Sequence, residues 1–282
     1  MIRLGSHCVL YAEAIATDLE NTLKLISLTG SEIVEVGARF FGTDRAEELR
    51  TALEKSGVTL AGIHTLLKIS DLLDDPQKVY EAYAAPARLA AAVGCGSLIS
   101  SGMVAFDEPD LGDARLLVPE EQKKAAQALN EVVLRIRKDF GVTIRYHNHL
   151  WEFKNNAAFY EALLNFAPDL QFAMDTGWVT AAGFDPVAYI EKYPARFRYF
   201  HLRDVNTKAA AGCKTFQEAA HCAFANVGEG DSRLTRLLRA IDRSGYECDG
   251  IVEYEFGEKD YHRYVKAVAY FRGILAAIRS GD

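Results

Sequence analysis

The sequence lacks the features that mark exported and membrane proteins. No apolar run approaches the roughly 20 residues that a membrane-spanning helix requires. The five cysteines are scattered without CxxC spacing, and an odd number of thiols fits the reducing cytosol better than a disulfide framework. The opening segment MIRLGSHCVLYAEA shows no basic leader followed by a long apolar run and a cleavage site. We therefore expect a cytoplasmic protein with no membrane association.

Further absences narrow the class of protein. No GxGxxG or GxxxxGKS/T motif follows the first predicted strand, which removes the usual nucleotide-binding interpretation of an α/β sheet. The net charge of -7 argues against extensive phosphate contacts, so no nucleic-acid partner is expected. No stretch rich in proline, glycine or serine divides the chain, and hydrophobic residues make up 49% of it. We interpret residues 1–282 as one domain with a large core.

The pattern that repeats along the chain is a short apolar run followed by an amphipathic stretch. The apolar runs predict strands at Ile2–Ser6, Ile33–Val36, Thr59–Ile63, Ser97–Ser101, Thr143–His147, Gln171–Met174, Phe197–His201 and Gly250–Glu253. The amphipathic stretches predict helices at Asp18–Leu28, Ala46–Ser56, Gln77–Val93, Pro119–Phe140, Ala157–Phe166, Pro186–Tyr193, Ser232–Ser244 and Asp260–Ile278. Such alternation in a chain of 282 residues favours a closed (β/α)8 barrel, an α/β fold of about 250 residues, over an open sheet.

Ionisable side chains stand at the predicted carboxyl ends of the strands, where barrels of this class carry their active sites. They are Glu35, His64, the segment His147-Asn148-His149, Asp175, His201, Glu253 and Glu255. Random placement would scatter these residues along the chain, whereas here they converge on one rim. We therefore predict that the active site lies at this rim.

The residue types at the rim favour a metal centre. Imidazole and carboxylate together suit Mn, Zn, Co or Fe better than Mg or Ca, which prefer oxygen ligands alone. Three or four ligands from His147, Asp175, His201 and Glu253 would leave a position open for water or substrate. His149 lies two residues beyond His147 on the same face of the strand, so it is a rival ligand or a neighbour of the site.

Longer segments around these residues resemble a known family. They are YHNHLWEF (Tyr146–Phe153), MDTGW (Met174–Trp178), FHLRD (Phe200–Asp204), VGEG (Val227–Gly230) and IVEYE (Ile251–Glu255), with GSEIVEVG (Gly30–Gly37) and GIH (Gly62–His64) upstream. Their order and spacing resemble the sugar phosphate isomerase/epimerase family of the xylose isomerase-like TIM barrel superfamily. The resemblance extends along nearly the whole chain.

The resemblance implies one divalent metal ion held from the fifth, sixth, seventh and eighth predicted strands. Asp175, His201 and Glu253 match three of the family's ligands. His147 is a departure, because ketose 3-epimerases of the superfamily have a glutamate there and use two glutamates on opposite faces of the substrate. Trp178 is a second departure, since many relatives have a histidine at that position.

Other rim residues are predicted substrate contacts, each with a structural alternative. They are Glu35, His64, Trp178, Arg203 and Lys208. The first two and Arg203 could equally make structural hydrogen bonds and salt bridges. Trp178 is either a hydrophobic wall for a sugar ring or part of the core, and Lys208 either neutralises an oxyanion or is a solvated loop lysine.

The predicted reaction is isomerisation or epimerisation of a keto sugar or keto-polyol. A metal would chelate the carbonyl oxygen and a neighbouring hydroxyl, and would stabilise the resulting enediolate. Glu253 is the predicted base, with His149 or Glu152 moving a second proton. The expected partner is therefore a small, sugar-like molecule. Relatives often pair through surface helices and loops, so the resemblance also allows a homo-oligomer.

Two other enzymatic activities are compatible with this barrel. Loss of a β-hydroxyl from the same enediolate would make the protein a dehydratase or lyase of a keto-inositol-like substrate, and the missing second glutamate favours this alternative. A remote alternative is an apurinic/apyrimidinic endonuclease, which shares the barrel but uses three metals and a basic face. A barrel that only bound sugar would need no inward acid or imidazole at so many strand ends.

Overall fold

Eight parallel strands form a closed barrel in this computed structural model, which describes residues 1–104 and 112–281. The barrel strands are β1 (Ile2–His7), β2 (Ile33–Gly37), β3 (Thr59–Leu67), β4 (Ser97–Gly102), β5 (Thr143–His147), β6 (Gln171–Asp175), β7 (Phe197–Leu202) and β10 (Cys248–Val252). Their order around the ring is β1-β10-β7-β6-β5-β4-β3-β2, so the first strand pairs with the last. The predicted (β/α)8 barrel is confirmed.

The helices surround this barrel or lie in its loops. Those of the described residues are α1 (Ala12–Thr17), α2 (Leu19–Leu28), α3 (Ala46–Ser56), α4 (Asp71–Asp74), α5 (Pro76–Ala92), α6 (Pro119–Phe140), α7 (Lys154–Phe166), α8 (Thr176–Ala181), α9 (Pro186–Lys192), α10 (Thr207–Gly212), α11 (Phe216–Cys222), α12 (Leu234–Arg243) and α13 (Tyr261–Ser280). Among them, none combines the length and the apolarity that crossing a bilayer needs.

Local sequence explains where several helices begin and end. The Asp75 side chain accepts a hydrogen bond from the Lys78 N–H at the start of α5, and Pro76 occupies the first turn, where its missing N–H costs nothing. Helices α3 and α6 end at Gly57 and Gly141, whose φ angles of 76° and 70° suit glycine. Each predicted helix therefore occurs, with ends shifted by a few residues at most.

The interior of the barrel is built in layers because side chains alternate along each strand. One layer is apolar and consists of Ile33, Ala61, Ile99, Ala173, Tyr199 and Ile251. Two residues further along five of these strands come Glu35, Ser101, Asp175, His201 and Glu253, all buried. The apolar layer thus forms the floor beneath a polar layer at the carboxyl ends of the strands.

A small antiparallel ladder lies beyond β7, formed by β8 (Asp204–Val205) and β9 (Phe224–Ala225). The loop that follows β9 is held by the buried carboxylate of Asp204, which accepts hydrogen bonds from the N–H groups of Gly228, Gly230 and Ser232 at 2.9, 3.0 and 3.2 Å. The VGEG motif is therefore a loop held on one buried acid. Glu229 within it bonds Asn226 at 2.9 Å.

Candidate active site

Four side chains from neighbouring strands converge at the carboxyl end of the barrel. His147 ends β5, Asp175 ends β6, His201 lies in β7, and Glu253 directly follows β10. Each offers one donor atom, and the four atoms all lie within 4.8 Å of one another. All four side chains are buried. This four-donor cluster, which contains the residues proposed from the sequence as ligands, could hold a metal ion.

The state of His147 fits a metal ligand. Its Nδ1 atom is buried and has no hydrogen-bond partner within the part of the chain that the structure describes. Burial, and then the nearby His201, hold the pKa of His147 well below its usual range, so the imidazole is neutral. A neutral imidazole with an unused nitrogen is ready to bind a metal, whereas leaving that nitrogen unpaired costs free energy.

His201 lies between two carboxylates. Its Nδ1 is 2.9 Å from Glu253 Oε2, and its Nε2 is 2.8 Å from Glu35 Oε2. Burial alone would lower the pKa of His201, but the Glu35 and Glu253 charges outweigh burial and raise the pKa well above its usual range. With a metal on the Nδ1 side, the Nε2–H would still donate to Glu35, which is the usual arrangement behind a metal-bound histidine.

The two carboxylate oxygens of Asp175 have different partners. One carboxylate oxygen accepts a hydrogen bond from the Trp178 N–H at 2.8 Å and caps α8. The other faces Arg203 at 3.4 Å and stays near the cluster. Burial raises the pKa of Asp175 to about 7, against the opposing charge of Arg203. A bound cation would favour the ionised form of this acid.

Glu35 is fully buried below the cluster and is shared by four donors. Its Oε1 lies 3.0 Å from His7 Nε2 and 2.6 Å from His64 Nδ1. Its Oε2 accepts from the Tyr199 hydroxyl at 2.5 Å, besides the contact with His201. Burial would raise the pKa of Glu35, but His201 and His7 outweigh it and hold that pKa well below the usual range. We call Glu35 and its four donors the Glu35 network.

The donors of His7, Glu35 and His64 also lie within 4.8 Å of one another. The Val9 N–H, however, donates to His7 Nδ1 at 3.0 Å, so the lone pair of Nδ1 is already used. The ring proton is then on Nε2, and that N–H points at Glu35. A protonated nitrogen has no lone pair for a metal, so we interpret this group as a hydrogen-bond network.

His7 and Tyr199 were not identified from the sequence. The predicted first strand stops at Ser6, whereas β1 includes His7, and Tyr199 had been counted only as an apolar strand residue. Alternation along β7 offered a signal, because Tyr199 shares a face with His201. Gly62 makes room for the tyrosine, since a Cβ there would lie 3.0 Å from the Tyr199 hydroxyl and 2.7 Å from Ile99.

His149 and Glu152 support the loop after β5 in different ways. The His149 N–H donates to Glu152 Oε2, and the Tyr146 hydroxyl donates to Glu152 Oε1, both at 2.8 Å. Burial raises the pKa of Glu152 to about 8. Burial, and then His64, lower the pKa of His149 to about 3, so this imidazole is neutral at ordinary pH. Both carboxylate oxygens of Glu152 are thus occupied by hydrogen-bond donors of the protein.

The remaining predicted contacts lie at different depths. Arg203 is buried, bonds Glu255 at 2.9 Å and stands over the Phe224 ring. Trp178 is fully buried and stacks on Phe216, with its Nε1 unpaired among the described residues. Lys208 is exposed on α10. The structure therefore brings Arg203 to the cluster and places Trp178 in the packing behind it.

A cavity of about 530 Å³ opens above the cluster. Its lining includes His7, His64, His147, His149, Glu253 and Glu255. A larger depression of about 710 Å³ lies against α9, α12 and α13, and its described lining includes none of these histidines. The chemistry-bearing cavity is the one at the strand ends, because concave sites with convergent polar groups are where small molecules bind.

Comparison with known proteins places these features in context. The family described as xylose isomerase-like TIM barrel matches residues 23–274. An inosose dehydratase of Clostridium perfringens is 24% identical over 157 residues, which cover 53% of this chain and 52% of the relative. Inosose dehydratase 2 of Bacillus cereus is 25% identical over 157 residues, with the same coverage of both chains. The chain thus spans about half the length of these curated relatives.

Solved structures of similar shape cover the chain more fully. A D-tagatose 3-epimerase-like protein superposes with a TM-score of 0.74 at 14% identity, covering 99% of both chains. A sugar phosphate isomerase/epimerase from Parabacteroides distasonis ATCC 8503 gives 0.73 at 16% identity, covering 95% of this chain and 96% of the other. A 3-keto-D-glucoside 4-epimerase from E. coli gives 0.71 at 13% identity, covering 97% and 100%. At these identities the likeness shows the fold.

Proposed function

Because the chain belongs to the xylose isomerase-like TIM barrel family, we propose that it is a divalent-metal-dependent isomerase or epimerase of a keto sugar or keto-polyol. The observation that carries the proposal is the convergence of four buried donors beneath an open cavity, one of them with an unused imidazole nitrogen. Arg203 lies 3.4 Å from Asp175 and 3.6 Å from Glu253, and a bound divalent ion would further compensate these two buried carboxylates.

His147, Asp175, His201 and Glu253 would hold the ion. Two imidazoles and two carboxylates suit Mn, Zn, Co or Fe better than Mg or Ca. When bound, the metal would polarise a substrate carbonyl and acidify the neighbouring C–H or O–H. Glu35 would keep His201 oriented from below through the 2.8 Å contact with Nε2.

Proton transfer falls to the groups that line the cavity. Glu253 and His149 both line it, so each has access to a bound molecule. Glu253 remains the candidate base, and neutral His149 can donate or accept a hydrogen bond at a substrate hydroxyl. Glu152 points both oxygens at Tyr146 and at the His149 backbone, which leaves it the role of fixing this loop.

A dehydratase acting on a keto-inositol-like substrate is the second candidate. His147 stands where the two-glutamate epimerases have their other acid, and Glu255 at the cavity is already paired with Arg203. One carboxylate can remove a proton and, once protonated, assist departure of a hydroxyl. The half-length similarity to inosose dehydratases supports the same alternative.

An apurinic/apyrimidinic endonuclease fits less well. That chemistry calls for several metals, whereas the His7, Glu35 and His64 group uses its donors in mutual hydrogen bonds. The net charge of -7 also opposes a phosphate-tracking surface.

The test combines metal analysis with proton exchange. Purified protein should contain about one divalent ion, and a chelator should abolish turnover until Mn²⁺, Zn²⁺ or Co²⁺ is restored. Glu253→Gln should reduce turnover by at least about 100-fold, while Glu120→Gln on an exposed helix face should not.

Incubation of keto sugars and keto-inositols in deuterated water separates the two activities. An isomerase or epimerase gives a product that carries deuterium and has otherwise the same atoms as the substrate, whereas a dehydratase gives a product that has lost the elements of water. Full turnover in the presence of a chelator, with no metal in the protein, would contradict the proposal.

A further inference from the structure

The two halves of the barrel mouth have different chemistry. The four donors come from β5, β6, β7 and β10, which are consecutive neighbours in the ring. The opposite half is formed by β1, β2, β3 and β4 with the segments that follow them. Its contribution to the cavity lining is largely apolar and includes Val9, Ala38, Phe40, Leu66 and Pro86. We call these five side chains the apolar wall.

The apolar wall is open to the cavity. Leu66 is 51% exposed, and Phe40 is only partly buried. An exposed apolar surface inside a concave site marks a place where a ligand removes that surface from water. The guanidinium of Arg39 lies 4.8 Å from the centre of the Phe40 ring and packs on it, which holds the ring in place.

Of the polar side chains on this half, Ser101 and His64 are already engaged, while Arg39 and Thr65 border the apolar wall. Ser101 lies 2.5 Å from His64 Nε2, and His64 Nδ1 in turn contacts Glu35. The five side chains of the apolar wall offer no hydrogen bonds. A sugar with a hydroxyl on every carbon would lose its hydrogen bonds to water against them, at a cost in free energy. The apolar wall therefore fits a part of the substrate that has no hydroxyls.

We propose that the substrate is a sugar or polyol carrying an apolar substituent, such as the aglycone of a glycoside, which lies against Phe40 and Leu66. The placement of the reacting part of the substrate beside the four donors rests on the function proposed above. The recognition of an apolar group rests only on the apolar wall. The cavity of about 530 Å³ is of the size that holds ligands larger than one sugar ring.

The test measures binding of two probes that share one sugar. Phenyl β-D-glucopyranoside and methyl β-D-glucopyranoside are titrated into the Mn²⁺-loaded protein by calorimetry. The phenyl compound should bind about tenfold more tightly, because its ring covers apolar surface that the methyl group cannot reach. In Phe40→Ala and Leu66→Ser this preference should fall to about twofold or less, while the affinity for the methyl compound stays the same.

Phe166→Ala is the matched control, since Phe166 is 38% exposed at the end of α7 and packs with Lys123. It should retain the full preference. Equal affinities of the two probes for the unaltered protein, or no binding of either in the millimolar range, would overturn the inference. So would a dimer that dissociates in Phe40→Ala, because a second copy would then occupy the wall.

Failure of the proposed function gives a different result. The same calorimeter measures Mn²⁺ binding to the metal-free protein before the probes are added. Absence of Mn²⁺ binding counts against the metal centre, whereas normal Mn²⁺ binding with no preference between the probes counts against the apolar wall alone.

Discussion

At the scale of the residue, the four-donor cluster rests on one acid, Glu35, that lies buried beneath the cavity. Glu35 fixes the proton position on three imidazoles at once, since each presents an N–H to its carboxylate. For His201 this leaves Nδ1 on the side of Glu253. Such partners behind metal-binding histidines commonly account for much of the affinity for the metal.

We expect Glu35→Gln to weaken metal binding by about 10- to 100-fold. Glutamine keeps one acceptor oxygen but turns an NH₂ group toward donors that need an acceptor, so His201 loses its fixed orientation. Calorimetric titration of the metal-free protein with Zn²⁺ or Mn²⁺ measures the change.

Tyr199→Phe is the graded control, because it removes only the 2.5 Å hydroxyl contact with Glu35. It should weaken metal binding less than Glu35→Gln does. Equal affinity of Glu35→Gln and the unaltered protein would show that the network has no part in holding the metal.

Sequence patterns predicted which side chains meet at the strand ends but not how deep each one lies. Alternation along a strand predicts that Asp175, His201 and Glu253 point inward at its end, and they do. The same pattern could not tell that Glu35, proposed as a substrate contact, faces His7 and Tyr199 beneath the cavity. How deep a side chain lies in the barrel depends on the register between neighbouring strands. The register of β2 with β3 shifts between Val34 and Glu35.

At the scale of the element, the loop after β9 shows how one side chain can hold a segment. Asp204 accepts three N–H groups from this loop, and a Cβ on Gly230 would collide with its carboxylate. The VGEG loop is thus held by Asp204, which precedes its partners in the loop by 24 to 28 residues.

Asp204→Asn should lower the free energy of unfolding by about 1–3 kcal/mol, because the amide leaves at least one of the three part-buried N–H groups without an acceptor. Urea unfolding followed by circular dichroism measures the loss. Glu229→Gln in the same loop changes an exposed side chain and should alter stability by less than about 0.5 kcal/mol. Similar stabilities of Asp204→Asn and the control would contradict this role.

Five short helices were not predicted from sequence periodicity. Helices α1, α4, α8, α10 and α11 span four to seven residues, too few for an amphipathic pattern to emerge. The start of α7 is irregular as well, since Asn155, Asn156 and Ala157 all have positive φ. The predicted start, Ala157, is the last residue of this left-handed turn, and the Asn-Asn pair is its only sign in the sequence.

At the scale of the whole molecule, the barrel was predictable because many weak signals agree. Each strand ends within a few residues of its predicted position, and the polar layer follows from alternation. The division of the mouth into a half with the four donors and an apolar half was not predictable, because Ala38 and Phe40 lie in a short 3-10 turn and Pro86 lies on α5. Only the assembled ring brings these segments to one cavity.

The stability of the whole molecule should depend on pH through Glu152. In the folded state its pKa is about 8, against 4.5 for an ordinary glutamate. Between these values the folded protein holds a proton that the unfolded chain releases, so stability falls as pH rises from about 5 to 8. In Glu152→Gln this part of the pH dependence is absent, so the variant should gain stability relative to the unaltered protein as pH rises.

Thermal melts at pH 5, 6.5 and 8 measure this difference. Glu120→Gln, at an exposed position, should follow the unaltered protein at each pH. A constant gap between Glu152→Gln and the unaltered protein across this range would contradict the prediction.

The pairing of β1 with β10 has a consequence for synthesis of the protein. While the ribosome has yet to release the segment around Cys248–Glu253, β1 and β7 both have open edges, and His7 has no Glu253 within reach. A nascent chain can therefore form much of the barrel wall early, but Glu253 joins the four-donor cluster only when β10 is added. Until then the edges of β1 and β7 are open to pairing with other chains.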